Sequence, residues 1–285
     1  MAGPDGRKDV KETDMAAPRR IVITGGSSGL GLALARACVL RGDHVALLAR
    51  DPVKLDRAAE ELRLVRPTAR VAVSATDVQN PAGLQQAFEQ IARTLGGIDV
   101  LVNSAGVLRE GYFETLPLRV HREVMDINYF GTLNTIHAAL PQLKQSAQPR
   151  IVNIASIAGL TGVFGYSAYC ASKHALVGLS EVLRYELAPQ GITVQLVCPP
   201  EFDSPMVDEL DRSRTPENRE HTLTIPKVAV EVIVADVLSA MDGSAFLTVP
   251  GRLARLTSLG LRHFPALSRF IGDTRMRKAY VGPTL

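Results

Sequence analysis

From Arg20 onward the chain alternates between short apolar, β-branched runs and longer amphipathic stretches. The runs are Ile21-Val22-Ile23, His44–Leu48, Val71–Val73, Val100–Val102, Ile151–Ile154, Thr193–Val197 and Phe246–Val249. Segments of helical character lie between them at Leu30–Arg41, Pro52–Leu64, Pro81–Leu95, Arg119–Leu143, Ser167–Ala188 and Lys227–Met241. Seven strands spaced by helices, with few hairpin signals, predict an α/β fold with one doubly wound parallel sheet. Ile21-Val22-Ile23 and Val100-Leu101-Val102 are continuous rather than alternating, as a strand covered on both faces requires. There is no internal repeat and no Ser- or Pro-rich linker, so residues 20–250 read as one domain.

Two regions break the rhythm. Residues 198–225 are polar and Pro-punctuated and follow the sixth strand at its carboxyl end, where doubly wound sheets bind ligands. This segment is expected to be a substrate loop or lid. From Gly251 the apolar residues Leu256, Leu259, Leu261, Phe264, Leu267, Phe270 and Ile271 interleave with Arg255, Arg262, Arg269, Arg275, Arg277 and Lys278. The extension 251–285 predicts a short amphipathic helix broken at Pro265, resting either on a membrane surface or on protein.

With 285 residues, 46% apolar and 21% charged, the chain can build a large core, which excludes wholesale disorder. No run of about 18 uncharged apolar residues predicts a membrane-spanning helix. Residues 1–19 lack the apolar segment of a secretory signal and read as a disordered tail. A net charge of +3, 5% aromatics and no Trp argue against a nucleic-acid partner. The charge is uneven: residues 251–285 hold seven Arg or Lys against one Asp. Cys38, Cys170 and Cys198 show no CxxC spacing and no His cluster, which fits reduced thiols in a cytoplasmic protein and predicts no bound metal.

The chemistry concentrates at strand ends. Thr24-Gly25-Gly26-Ser27-Ser28-Gly29-Leu30-Gly31 follows the first strand and opens the first helix. Glycines let the backbone approach a pyrophosphate, and a helix N-terminus offers free N–H donors and partial positive charge. About twenty residues on, where an acid would select NAD, stands Ala49 followed by Arg50. A planar guanidinium suits a 2′-phosphate, which favours NADP; a register shifted by two would place Asp51 on the ribose and reverse the choice. Asp77-Val78 and Asn103-Ser104-Ala105-Gly106 end the third and fourth strands. Ser156 follows the fifth, and Tyr169 and Lys173 stand four apart on the next helix, hence on one face. A nearby ammonium is expected to lower the phenol's pKa, so that Tyr169 exchanges a proton with a carbonyl oxygen while Ser156 donates a hydrogen bond to it.

These residues resemble the short-chain dehydrogenase/reductase family over about residues 20–250, which implies a Rossmann-type sheet and an NAD(P)-dependent carbonyl/alcohol oxidoreductase. The resemblance makes Gly25, Gly29 and Gly31 the cofactor glycines, with Ser27, Ser28 and Leu30 in the same turn, and Asp77, beside Val78, an adenine contact. Asn103, Ala105 and Gly106 match a conserved stretch that departs at Ser104. Asn128, Ser156, Tyr169 and Lys173 match the catalytic tetrad. After strand six the family has Pro-Gly and then Thr. Here Pro199-Pro200 replaces Pro-Gly, which removes an amide donor, and Ser204 supplies the hydroxyl. That segment, with Leu-Leu-Ala-Arg closing strand two, looks like the 3-ketodihydrosphingosine reductases, which reduce a long-chain sphingoid ketone with NADPH. The expected activity is reduction of a lipid ketone; alternatives are β-ketoacyl, steroid or small carbonyl substrates, or a cofactor-binding scaffold without catalysis. The family also implies a homodimer or homotetramer.

Overall fold

The computed structural model describes residues 17–225 and 227–282. Its sheet contains β1 (Arg20–Thr24), β2 (His44–Ala49), β3 (Val71–Ala75), β4 (Val100–Asn103), β5 (Arg150–Ile154), β6 (Thr193–Val197) and β7 (Leu247–Thr248). All neighbours are parallel in the order β3-β2-β1-β4-β5-β6-β7. The seven-stranded Rossmann-type prediction is met.

Burial of both sheet faces explains the continuous apolar runs. Ile21 and Ile23 point into one layer with Val45, Leu47 and Val102, beneath α1 (Gly29–Arg41), α2 (Pro52–Val65) and α9 (Val230–Asp242). Val22, Ala46, Leu48 and Leu101 point into the other, beneath α3 (Pro81–Leu95) and α5 (Gly131–Leu143). Each fully buried Ile or Leu contributes about 1.5–3 kcal/mol of transfer free energy. β3, at the sheet edge, is only partly covered.

The predicted Arg119–Leu143 stretch is continuous but not uniform. α4 (Leu118–Met125) passes through a π-helical turn, Asp126–Phe130, into α5. The Gly131 amide closes that turn on the Asp126 carbonyl. A Cβ at Gly131 would lie 2.6 Å from Val78 Cγ2, so the close packing of this junction requires glycine.

The segment 198–225 is more ordered than a loop. It contains α7 (Pro205–Asp211) and α8 (Pro216–Thr222), with α6 (Ser167–Leu187) across the cleft. In the extension, Pro265 ends one helix and starts another: α10 spans Arg252–His263 and α11 spans Pro265–Ala279. Of the tail expected over 1–19, residues 1–16 lie outside the described residues. Arg19 runs into β1 with its amide on Asp43 Oδ1 at 3.1 Å. No helix among the described residues is long and apolar enough to cross a membrane.

The turn between β1 and α1 yields a test of sign. Gly→Ala inside a helix ordinarily stabilises by about 1 kcal/mol. At Gly31 the added Cβ would stand 2.4 Å from the Gly25 carbonyl oxygen, and such overpacking costs about 1–3 kcal/mol. Gly31→Ala is therefore expected to lower the melting temperature; a rise would show that the turn can yield.

Candidate active site

The carboxyl ends of β1 and β4 are fastened together first. The Thr24 hydroxyl oxygen accepts hydrogen bonds from the amides of Ser104 and Ala105, both at 3.1 Å. Gly25, at φ +67°, passes so close that a Cβ would lie 2.9 Å from Ala105 Cα. Above this floor opens a cleft lined by Gly25, Ser27, Ser28, Gly29, Leu30 and Gly31 on one side. Ala105, Gly106, Ser156, Tyr169, Lys173, Pro199 and Ser204 line it too.

The glycine turn leaves the start of α1 without a side-chain cap. Asp51, Asn80, Ser204 and Thr215 each precede a Pro, and each accepts a hydrogen bond from an amide of the helix it opens. Ser28 occupies the same place before α1 but makes no side-chain cap bond. Amides in the first turn of α1 are thereby left to a ligand, and the helix dipole favours an anionic one. The cradle fits a pyrophosphate.

Ser156 follows β5, and its Oγ accepts from the Ala158 amide at 3.1 Å. Tyr169 and Lys173 are both buried on α6, with the ammonium 5.6 Å from the centre of the phenol ring. Lys173 Nζ donates to the Ile154 carbonyl at 3.0 Å. Burial pushes the Tyr169 phenol up to about 12, opposed in part by its hydrogen bond with Ser156. Burial also pulls Lys173 down to about 8. The expected lowering of the phenol by the ammonium is corrected here: in the folded chain, desolvation outweighs every other influence on Tyr169.

The remaining predicted residues stand around the cleft rather than in its lining. Asn128, fully buried in the π-helical turn, clamps Val107: its Oδ1 accepts from the amide at 2.8 Å and its Nδ2 donates to the carbonyl at 2.9 Å. It backs Gly106, where a Cβ would lie 3.1 Å from Asn128 Oδ1 and 3.7 Å from Lys173 Nζ. Asn103 lies below the floor, donating to Asn153 Oδ1 at 2.8 Å. Arg50 is exposed at the end of β2, while the Asp51 carboxylate is committed to the Lys54 amide at 3.1 Å. Asp77 accepts from the Gln79 amide at 3.0 Å, and the Val78 carbonyl accepts from Asn134 Nδ2 at 3.1 Å.

The outer wall is built from residues that carry no motif of their own. Leu108, Val163, Tyr166, Phe202, Met206 and Ile225 give it an apolar surface, with His221 and Thr222 from α8. Tyr166 had a readable signal, lying three residues before Tyr169 and hence on its face of the chain; the rings meet edge to face at 5.6 Å. Arg214 anchors this wall by a two-pronged bond to Glu201, at 2.6 and 3.2 Å. Cys38, Cys170 and Cys198 are buried free thiols.

The chain matches the short chain dehydrogenase family over residues 19–215. It is 31% identical over 233 residues to 3-dehydrosphinganine reductase from Danio rerio, covering 79% of this chain and 70% of that one. To 3-ketodihydrosphingosine reductase from Bos taurus it is 32% identical over 244 residues, 83% of this chain and 74% of the other. A solved short chain dehydrogenase from Burkholderia cenocepacia J2315, in complex with NADP, has a TM-score of 0.73 at 30% identity, covering 89% of this chain and 96% of that one. On the family match over residues 19–215 and these identities, the chain belongs to the short-chain dehydrogenase family.

Proposed function

We propose that the chain reduces a ketone on a long-chain lipid with NADPH, the best-supported substrate being 3-ketodihydrosphingosine. The observation that carries this reading is a single cleft running from the uncapped start of α1, past Ser156 and Tyr169, to an apolar outer wall. The names of the relatives and the NADP of the solved neighbour support it. Gly25, Ser27, Ser28, Gly29, Leu30 and Gly31 hold the pyrophosphate. Arg50 takes the 2′-phosphate, a choice favoured by the capping duty of Asp51. Asp77 and Val78 serve the adenine end, Asn103, Ala105 and Gly106 the floor, and Pro199 and Ser204 the nicotinamide end.

Bound NADPH supplies the hydride. Tyr169 gives its proton to the carbonyl oxygen, so that one hydride and one proton convert the ketone to a secondary alcohol. Ser156 donates a hydrogen bond to that oxygen as charge develops. Lys173, protonated below about 8, places positive charge behind the phenol. Asn128 fixes the Val107 backbone under Gly106 and so holds the floor beside Lys173.

The extension is proposed to rest on the cytoplasmic face of a membrane. Leu253 and Leu256 on α10, Leu267 and Phe270 on α11, and Phe264 between them are exposed among six arginines and Lys278, a combination suited to an anionic lipid surface. A homodimer or homotetramer is proposed through the helices bearing Asn128 and Tyr169; on the latter, α6, Val182 and Tyr185 are exposed.

Tyr169→Phe is expected to cut turnover by at least about a hundredfold while NADPH still binds; NADPH consumption and fluorescence titration read the two, and unchanged turnover would remove Tyr169 from the chemistry. Arg50→Ala should raise the Michaelis constant for NADPH far more than for NADH. Equal increases for both would refute the 2′-phosphate assignment. Leu256→Asp with Phe270→Asp should weaken co-sedimentation with phosphatidylserine vesicles by about tenfold or more. Dissociation of an oligomer, with vesicle binding untouched, would instead make this face a protein interface.

A further inference from the structure

Among the described residues Glu217 belongs to neither the cleft lining nor a salt bridge, yet it is fully buried. Its carboxylate accepts the Tyr112 hydroxyl at 2.9 and 3.1 Å. It also accepts the amides of Val281 at 2.7 Å and Gly282 at 3.1 Å. Three segments therefore converge on one side chain: the connection between β4 and α4, the helix α8, and the chain after α11. Desolvation pushes this carboxyl up, but the amides of Val281, of Glu217 itself and of Gly282, with the Tyr112 phenol, overcome it and hold it below the ordinary carboxylate value. Charge-assisted bonds of this kind are about twice as strong as neutral ones.

The same short helix reaches the cleft one turn later. Asn218 Nδ2 donates to the Phe164 carbonyl at 2.6 Å, and His221 Nδ1 accepts from the Phe164 amide at 3.0 Å. Tyr112 packs edge to face on Phe164 at 5.8 Å. With Nδ1 an acceptor, the neutral His221 ring carries its proton on Nε2. Burial, and then the charge of Arg275 on α11, pull His221 below its ordinary value. His221 and Thr222 face the cleft, and α11 packs along α8.

We infer that Glu217 is a positioning residue for substrate: by binding the chain end to α8 and Tyr112, it sets His221 and Thr222 in the wall of the cleft. The extension is thereby part of the substrate site without touching substrate. A short ketone needs only Ser156 and Tyr169, whereas a long chain must lie along the wall that α8 supports. That last step rests on the long-chain reading proposed above.

The test uses the full chain with Glu217→Ala and Glu217→Gln, and a third form ending at Tyr280. Gln keeps an oxygen for both amides and can donate to the Tyr112 oxygen, so it is expected to rescue most of the loss. Hydrogen exchange of residues 216–222 is expected to accelerate by about tenfold or more in the Ala and shortened forms. In those forms KM for 3-ketodihydrosphingosine in mixed micelles should rise about tenfold, with kcat held and short-ketone turnover and NADPH affinity unchanged. Unaltered exchange, or equal losses on both ketones, would overturn the inference. Should Glu217→Ala fail to fold, the shortened form, which retains the carboxylate, decides between the same outcomes. Were the unmodified chain to reduce only short ketones, the lipid reading would fail, and the exchange result alone would decide the role of Glu217.

Discussion

The close approach of two strand ends carries the rest of the site. Thr24 accepts the amides of Ser104 and Ala105, and Gly25 turns within van der Waals contact of Ala105. If β1 and β4 ended farther apart, the glycine turn would rise away from the floor, and α1 would aim its free amides at solvent. The parallel sheet makes this closure possible because every strand delivers its carboxyl end to one edge. Chemistry can therefore be assembled from residues as distant in sequence as Ser28, Ser156 and Ser204.

The sheet and the six main helices were legible because their signals are local or doubly enforced. β1 and β4 are apolar on both faces, and the strand period sorts Ile21 and Ile23 from Val22 into different layers. The grouping of Ser156, Tyr169 and Lys173 was legible from helical spacing and a strand end. The sign of the pKa effect was not, since the sequence pattern shows that Lys173 can approach Tyr169 but not that both are stripped of water. Desolvation is a property of everything packed around them.

Helices α7 and α8 stand where the sequence predicts a loop or lid, although their capping signals are present in it. Ser204-Pro205 and Thr215-Pro216 repeat the arrangement of Asp51-Pro52 and Asn80-Pro81, a capping side chain followed by Pro at the first helical position. Each of these helices is only seven residues long, too short to display an apolar period. Their stability comes from contacts remote in sequence, such as Arg214 with Glu201 and Glu217 with Val281. Pairings across 64 residues leave no mark on a local pattern.

The burial that raises Tyr169 and lowers Lys173 suits reduction in particular. A phenol held up to about 12 keeps its proton throughout the neutral range, so in the proposed mechanism the acid stays neutral, protonated and ready to donate. Its proton becomes favourable to transfer only when a carbonyl oxygen nearby acquires negative charge, and Ser156 stabilises that same charge. Lys173, at about 8, loses its positive charge at a much lower pH than an exposed lysine. In the proposed mechanism the ammonium therefore loses its charge before the phenol loses its proton as the pH rises. Both shifts have the same first cause, the depth at which α6 buries these two side chains.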